Sequence, residues 1–247
     1  NTTMAHLTKI YIIDGNISYK NKKLLKQIVK RFKARIQYLK LTNVKAVKYF
    51  KRTTKYISKE TFYRIVVPHL LDHSIDRAIY LDCDILIKED ISSLWNMKLN
   101  GNYLAAVESA ISEKRRKSIS LPEGARYFNS GVMVMDLQKW RKHNITDKVL
   151  QYIKEHATRK SMLDQHALNA ILYDKWKELG VEWNYTTGYM KKKHFQIDKP
   201  AIIHFTGSKK PWNSDHPYKK EYLTYLTNER FISAKGLASK QFNQSGT

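Results

Sequence analysis

The residues best suited to chemistry are Asp82 and Asp84, which bracket Cys83 inside RAIYLDCDILI, residues 77–87. In a strand, positions i and i+2 project to one face, so the two carboxylates are expected to converge while Cys83 points into the core. Two bare carboxylates in one small volume repel. A hard divalent cation such as Mn2+ or Mg2+, which takes oxygen ligands, relieves that repulsion. The same triplet also suits a turn or a helix cap after the strand. Further along, AIIHFTGSKKPW sets His204 at the end of an apolar run, followed by Gly207, Lys210, Pro211 and Trp212. An imidazole nitrogen can join two carboxylates on manganese, and Lys210 can neutralise a phosphate oxygen as a point charge. A hydrogen-bonded core histidine is the plainer alternative for His204.

The elements that must position these groups read as alternating strands and helices. KIYIID (9–14) predicts a short buried strand. Ser18 then caps a helix whose Leu24, Leu25, Ile28, Val29 and Phe32 share one face, the other face being basic. RIQYLK (35–40) predicts a second strand, and ISKETFYRIVVPHLL (57–71) a helix that Pro68 kinks or stops. YLAAVE (103–108), GVMVMD (131–136) and AIIHF (201–205) are further buried strands, with helices around 140–153 and 162–172 between them. Such alternation predicts one α/β domain over residues 1–233, with a mainly parallel sheet flanked by helices, and a loosely structured tail over 234–247. Ligands of open α/β sheets lie at the carboxyl ends of strands, where Asp82, Asp84 and His204 all fall.

Taken together and in order, YLDCD, YFNSGVMVMDLQKW, LDQHALN and HFTGSKKPW resemble family 8 of the retaining glycosyltransferases, which includes bacterial lipooligosaccharide galactosyltransferases and glycogenin. The resemblance runs over residues 9–217. It implies a GT-A type nucleotide-sugar-binding fold and transfer of a hexose, galactose or glucose, from a UDP-sugar to an acceptor hydroxyl with retention of anomeric configuration. Asp82, Asp84 and His204 match the family's metal ligands, and Gly207 with Lys210 its diphosphate-binding loop. Arg64 matches the donor-contacting arginine. Asn129, Ser130 and Asp164 fall where the donor sugar is held. Gln165 matches the position debated as a weak nucleophile or a stabiliser of the reacting sugar, with Asp164 beside it. Glu108 falls where relatives carry an acidic residue near the acceptor. Locally, Arg64 also suits an ion pair, Asn129 a turn cap, and Asp164 a helix N-terminal carboxylate. Trp140 and Trp212 are expected to pack, and His166 to face solvent.

The sequence departs from the family in one respect. Members usually open with a strand and a helix that form much of the nucleotide-base pocket. This sequence starts where that helix should be ending, about 20 residues short at average element lengths. Omission or truncation of that piece is the expected cause.

Bulk properties narrow the alternatives. With 45 basic and 22 acidic residues, a formal +23, the chain attracts polyanions of any kind. A nucleic-acid-binding protein is therefore one rival, though no zinc-finger spacing, basic zipper or ribonucleoprotein motif supports it. A catalytically silent sugar-nucleotide-binding relative is another. A single cysteine excludes an internal disulfide, and no apolar run approaches the roughly 18 residues that a membrane span needs. A cytoplasmic address is expected, with peripheral attachment to an anionic inner membrane face. The acceptor is expected to be a glycan, glycolipid or glycoprotein.

Overall fold

The computed structural model describes residues 5–41, 59–109, 116–117, 119–156, 164–192 and 196–227. The expected tail at 234–247 and the whole of the basic stretch 45–55 lie outside them. The chain divides into two compact units, Asn1–Tyr185 with Ile197–His204, and Thr186–Gln196 with Phe205–Thr247.

In the first unit, β1 (Lys9–Ile13) and β2 (Arg35–Leu39) pair in parallel around α1 (Tyr19–Arg31). Ser18 caps α1 as expected, its side chain accepting from the Asn21 amide. Lys20, Lys23, Lys26, Lys30 and Arg31 line the exposed side, whereas Leu24, Leu25, Ile28 and Val29 are half-buried.

The main sheet has the order β3 (Arg77–Leu81), β6 (Phe128–Asp136), β5 (Leu104–Glu108), β7 (Trp176–Leu179). β6 runs antiparallel to both β3 and β5, and β5 runs parallel to β7. A separate small sheet pairs β4 (Ile85–Ile87) antiparallel with β9 (Ile202–His204). The α/β class is as expected, but the mainly parallel sheet is not: pairing is mixed, because apolar runs buried on both faces look alike whichever way they run. β8 is the two-residue strand Tyr185–Thr186.

Two helical expectations also change. The segment preceding β3 is a 3-10 helix, Lys59–Val66, that passes into α2 (Val67–Leu70), with Pro68 in the first turn of α2. Proline there opens a helix, since the amide it lacks would have no intrahelical partner anyway. The helix around 140–153 is two, α4 (Leu137–Lys142) and α5 (Ile145–Glu155), separated at Asn144 with φ 52°. α3 (Ser92–Asn96) precedes β5, and α6 (Asp164–Leu172) packs behind β6. Phe62, Ile65, Val66, Met133, Met135, Trp140, Val149 and Leu168 fill the core between β6 and these helices, so Trp140 packs as expected. No helix among the described residues is long and apolar enough to cross a membrane.

Candidate active site

The site forms along the end of the main sheet where β3 and β5 finish and β6 begins. Asp82, Cys83 and Asp84 are not strand residues. They make a bend that carries the chain from β3 to β4, and Cys83 is exposed instead of entering the core. The two carboxylates converge because the backbone turns between two sheets, not because of strand alternation. The Asp82 amide donates to the Gly131 carbonyl of β6 at 2.8 Å, which fixes the start of the bend.

His204, the last residue of β9 and only 3% exposed, faces this bend. Its Nε2 lies 3.6 Å from Asp82 Oδ2 and 3.3 Å from Asp84 Oδ1. One ligand atom from each of the three residues lies within 4.8 Å of the others. Two carboxylate oxygens and one imidazole nitrogen, each with a lone pair, form a donor set suited to manganese or magnesium. The expected metal ligands are thus together, and the residues fit the ion. The fit depends on Gly131, where an added Cβ would lie 2.2 Å from His204 Cε1 and 2.8 Å from Asp82 Oδ2.

Arg64 ties this cluster to the neighbouring wall. Its guanidinium, 7% exposed, reaches Asp82 Oδ1 at 2.9 Å, Asp164 Oδ2 at 2.9 Å and Ser130 Oγ at 2.6 Å. The Nε hydrogen goes to the Thr61 carbonyl at 3.0 Å, so Asp164 Oδ2, though paired in charge, accepts no hydrogen bond among the described residues. A buried carboxylate oxygen without a donor is costly in a finished structure and suits a ligand hydroxyl. Burial pushes the Asp164 carboxyl up, against the opposing effect of Arg64 and with the help of Asp82. Burial alone would lower the Arg64 pKa, but the facing carboxylates of Asp164 and Asp82 raise it, so it stays a fixed cation. Tyr80, beneath Arg64, donates its hydroxyl to Asp82 Oδ1 at 2.9 Å. Burial raises its pKa well above the usual phenol value.

Gln165 accepts from the Ser130 amide at 3.0 Å and donates to the Tyr127 hydroxyl at 3.0 Å. His166, expected at the surface, is 1% exposed, with its Nδ1 3.1 Å from the same hydroxyl. Helix periodicity did not show that both faces of α6 would be covered. Asn129 accepts from the Gly131 amide, and the half-buried Glu108 is paired opposite Phe128 across a bulge. Asn169, which the sequence reading missed, holds the Phe128 backbone by both its amide and its carbonyl, at 2.8 and 2.9 Å. Asn184 was missed too, and lies 2.8 Å from His204 Nδ1. Asn169 closes the motif LDQHALN but was given no role there, and Asn184 belongs to no motif, so only the fold shows what each one holds.

Gly207 and Lys210 belong to the second unit. Gly207 adopts φ +82°, a left-handed conformation that glycine tolerates. The half-buried Lys210 ammonium donates to the Phe205 carbonyl, while its backbone amide donates to Asn213 Oδ1 at 2.9 Å. Trp212 is 43% exposed and meets Phe205 edge-on.

Against this geometry, comparison with known proteins is consistent. The description of glycosyl transferase family 8 matches residues 2–216. General stress protein A of Bacillus subtilis (strain 168) is 42% identical over 239 residues, covering 89% of this chain and 82% of that protein. The lipopolysaccharide 1,2-glucosyltransferase of Escherichia coli (strain K12) is 34% identical, covering 71% of this chain and 56% of that protein. A putative glycosyltransferase of Haemophilus influenzae is 29% identical, and the match covers 63% of its length. Among solved structures, galactosyltransferase LgtC in complex with donor and acceptor sugar analogues superposes with a TM-score of 0.77 at 21% identity, covering 94% of this chain and 87% of that one. This likeness establishes the GT-A fold.

Proposed function

The chain belongs to glycosyl transferase family 8, and on that premise we propose that it moves a hexose, galactose or glucose, from a UDP-sugar to an acceptor hydroxyl with retention of configuration. A divalent cation held by Asp82, Asp84 and His204 is part of the reading. The observation that supports it is the convergence of three ligand atoms within 4.8 Å, backed by a buried arginine that fixes one of the carboxylates. The names of two relatives, a glucosyltransferase and a galactosyltransferase, suggest the sugar class.

When bound, such a cation supplies Lewis-acid stabilisation of the departing diphosphate. The remaining work falls to the protein. Asp164, with an oxygen lacking a donor, accepts a sugar hydroxyl, and Ser130 and Asn129 line the same strand end. Arg64 pairs with Asp82 and Asp164 from between them and so holds both side chains in place. Gly207 and Lys210 bind the diphosphate, with Lys210 exchanging the Phe205 carbonyl for a phosphate oxygen.

Retention is assigned to attack on the face from which UDP leaves, with the departing phosphate taking the acceptor's proton. Gln165 supports this assignment. Its amide oxygen is a poor nucleophile and already accepts the Ser130 N–H at 3.0 Å. Glu108, at the end of β5, is assigned to the acceptor side.

The acceptor is assigned to a glycan, a glycolipid or a glycoprotein. The exposed basic side of α1 supports attachment to an anionic bilayer surface, where each nearby lysine contributes about 1 kcal/mol. The test of the activity is a panel of UDP-sugars with and without Mn2+, read by UDP release. Manganese-dependent release from one UDP-hexose is expected. Binding of UDP-sugars without turnover in the presence of acceptor would overturn the enzymatic reading.

A further inference from the structure

We propose that Asn184 is a positioning residue that sets the tautomer of His204, through a hydrogen-bond relay anchored on the backbone of Gly131. The relay can be followed one atom at a time. A backbone N–H only donates, and that of Gly131 points at an Asn129 side-chain atom 2.9 Å away. That atom must therefore be Oδ1. Asn184 contacts the same oxygen at 2.8 Å, so it presents its NH2 there. Its carbonyl oxygen is then the atom 2.8 Å from His204 Nδ1. Since a carbonyl only accepts, Nδ1 carries the hydrogen. The neutral imidazole is left with its lone pair on Nε2, the nitrogen that faces Asp82 and Asp84.

Burial secures the inner end of the relay, while Asn129, its outer link, is half-buried. Asn184 is 0% exposed and His204 3%, so water does not compete for these bonds. The opposite tautomer would aim an N–H at the carboxylates and two lone pairs at each other across the Asn184 contact. Gly131 also accepts the Asp82 amide at 2.8 Å, so one residue of β6 orients two of the three ligands from its two backbone groups. A side chain at position 131 would occupy the space of the imidazole, which explains why the hub is a glycine. Asn184 reaches the site from the end of the 3-10 helix Val181–Asn184, far in sequence from every motif.

This inference rests on the metal reading of the site, and its test separates the two. Mn2+ affinity of the full chain is measured from the free-ion electron paramagnetic resonance signal for wild type, Asn184→Ala, His204→Ala and the double variant. Partners behind a metal-binding histidine are commonly worth 10–100-fold in affinity, so Asn184→Ala is expected to weaken Mn2+ by about that factor. In the His204→Ala background the same change is expected to alter affinity by less than about twofold, because Asn184 acts only through His204. Unchanged affinity in Asn184→Ala, or an equal loss in both backgrounds, overturns the relay. A wild-type chain that does not bind Mn2+ overturns the metal reading instead. A second measurement needs no change at position 184. Long-range 1H–15N spectra of the neutral imidazole in the metal-free chain, with His204 assigned by its His204→Gln variant, are expected to show hydrogen on Nδ1. Hydrogen on Nε2 overturns the relay, whatever the folding of the Asn184 variant.

Discussion

The β1–α1–β2 segment and the cluster at the start of β6 sit in the same unit and are built on opposite principles. α1 carries five exposed cationic side chains, and none of its residues is fully buried. At the start of β6, by contrast, a single buried arginine answers two carboxylates, and Ser130, Gln165, Asn129, Asn184 and Asn169 are all committed to specific hydrogen bonds. The positive charge of α1 is thus solvated surface, while the proposed chemistry occupies an acidic, low-dielectric recess. In water, charge is cheap to keep and weak in effect. Burial makes each charge costly unless it is paired and sensitive to small displacements.

This contrast is most exposed to failure at Arg64. Arg64→Met leaves Asp82 and Asp164 without a cation, and breaking a buried pair from one side typically costs about 3–5 kcal/mol. Denaturant unfolding should show a loss of that size, together with loss of turnover. A change below about 1 kcal/mol would mean the recess is wetter than the structure implies. Gly131→Ala comes next. Its Cβ would lie 2.2 Å from His204, so the imidazole or β6 must move, at a typical overpacking cost of about 1–3 kcal/mol. Calorimetry should find weaker Mn2+ binding in the folded variant, and wild-type affinity would break the argument from close approach.

The α1 side calls for smaller effects. Replacing Lys23, Lys26 and Lys30 together by glutamine should leave stability within about 0.5 kcal/mol per site and turnover on a soluble acceptor unchanged. Co-sedimentation with anionic vesicles should fall. Sedimentation that is independent of anionic lipid in the wild type would remove the surface role of α1.

Smallest is an effect of acid at Asp14, just before α1. Hydrogen bonds from Lys22 and then from the Ile17 amide hold its carboxyl below the ordinary 3.8. A depressed folded pKa contributes stability above the unfolded value, and that contribution disappears as pH falls through the folded one. Below pH 3.8 the wild type should therefore lose stability more steeply than Asp14→Asn in acid unfolding followed by circular dichroism. Parallel curves would show that the Lys22 contact contributes nothing.

The sequence made the two sides legible to different degrees. Ser18 as the cap of α1 and the runs that became β1, β2 and β5 follow from local rules, and the structure places them where those rules do. The candidate metal triad was legible because its residues stand in short motifs whose order is itself informative. Its geometry was misread, since the bend at Asp82–Cys83–Asp84 depends on β3 and β4 joining different sheets, a long-range outcome that strand periodicity does not contain. The antiparallel direction of β6 was hidden for the same reason. Asn184 was invisible because a lone asparagine acquires a role only from what the fold puts beside it, and Asn169, although it closes LDQHALN, shows its hold on Phe128 only in the fold. The interior position of His166 likewise depends on Tyr127, 39 residues away.

The central claim is that the acidic recess, and not the basic surface, carries the chemistry. Its most direct test is manganese-dependent UDP release by wild type and Asp84→Asn, at saturating UDP-sugar and equal fold stability. The account predicts that Asp84→Asn loses roughly 100-fold or more of turnover, as removal of a group that stabilises developing charge typically does. Its Mn2+ affinity should fall as well. Equal turnover in the two proteins, with the same dependence on manganese, would contradict it.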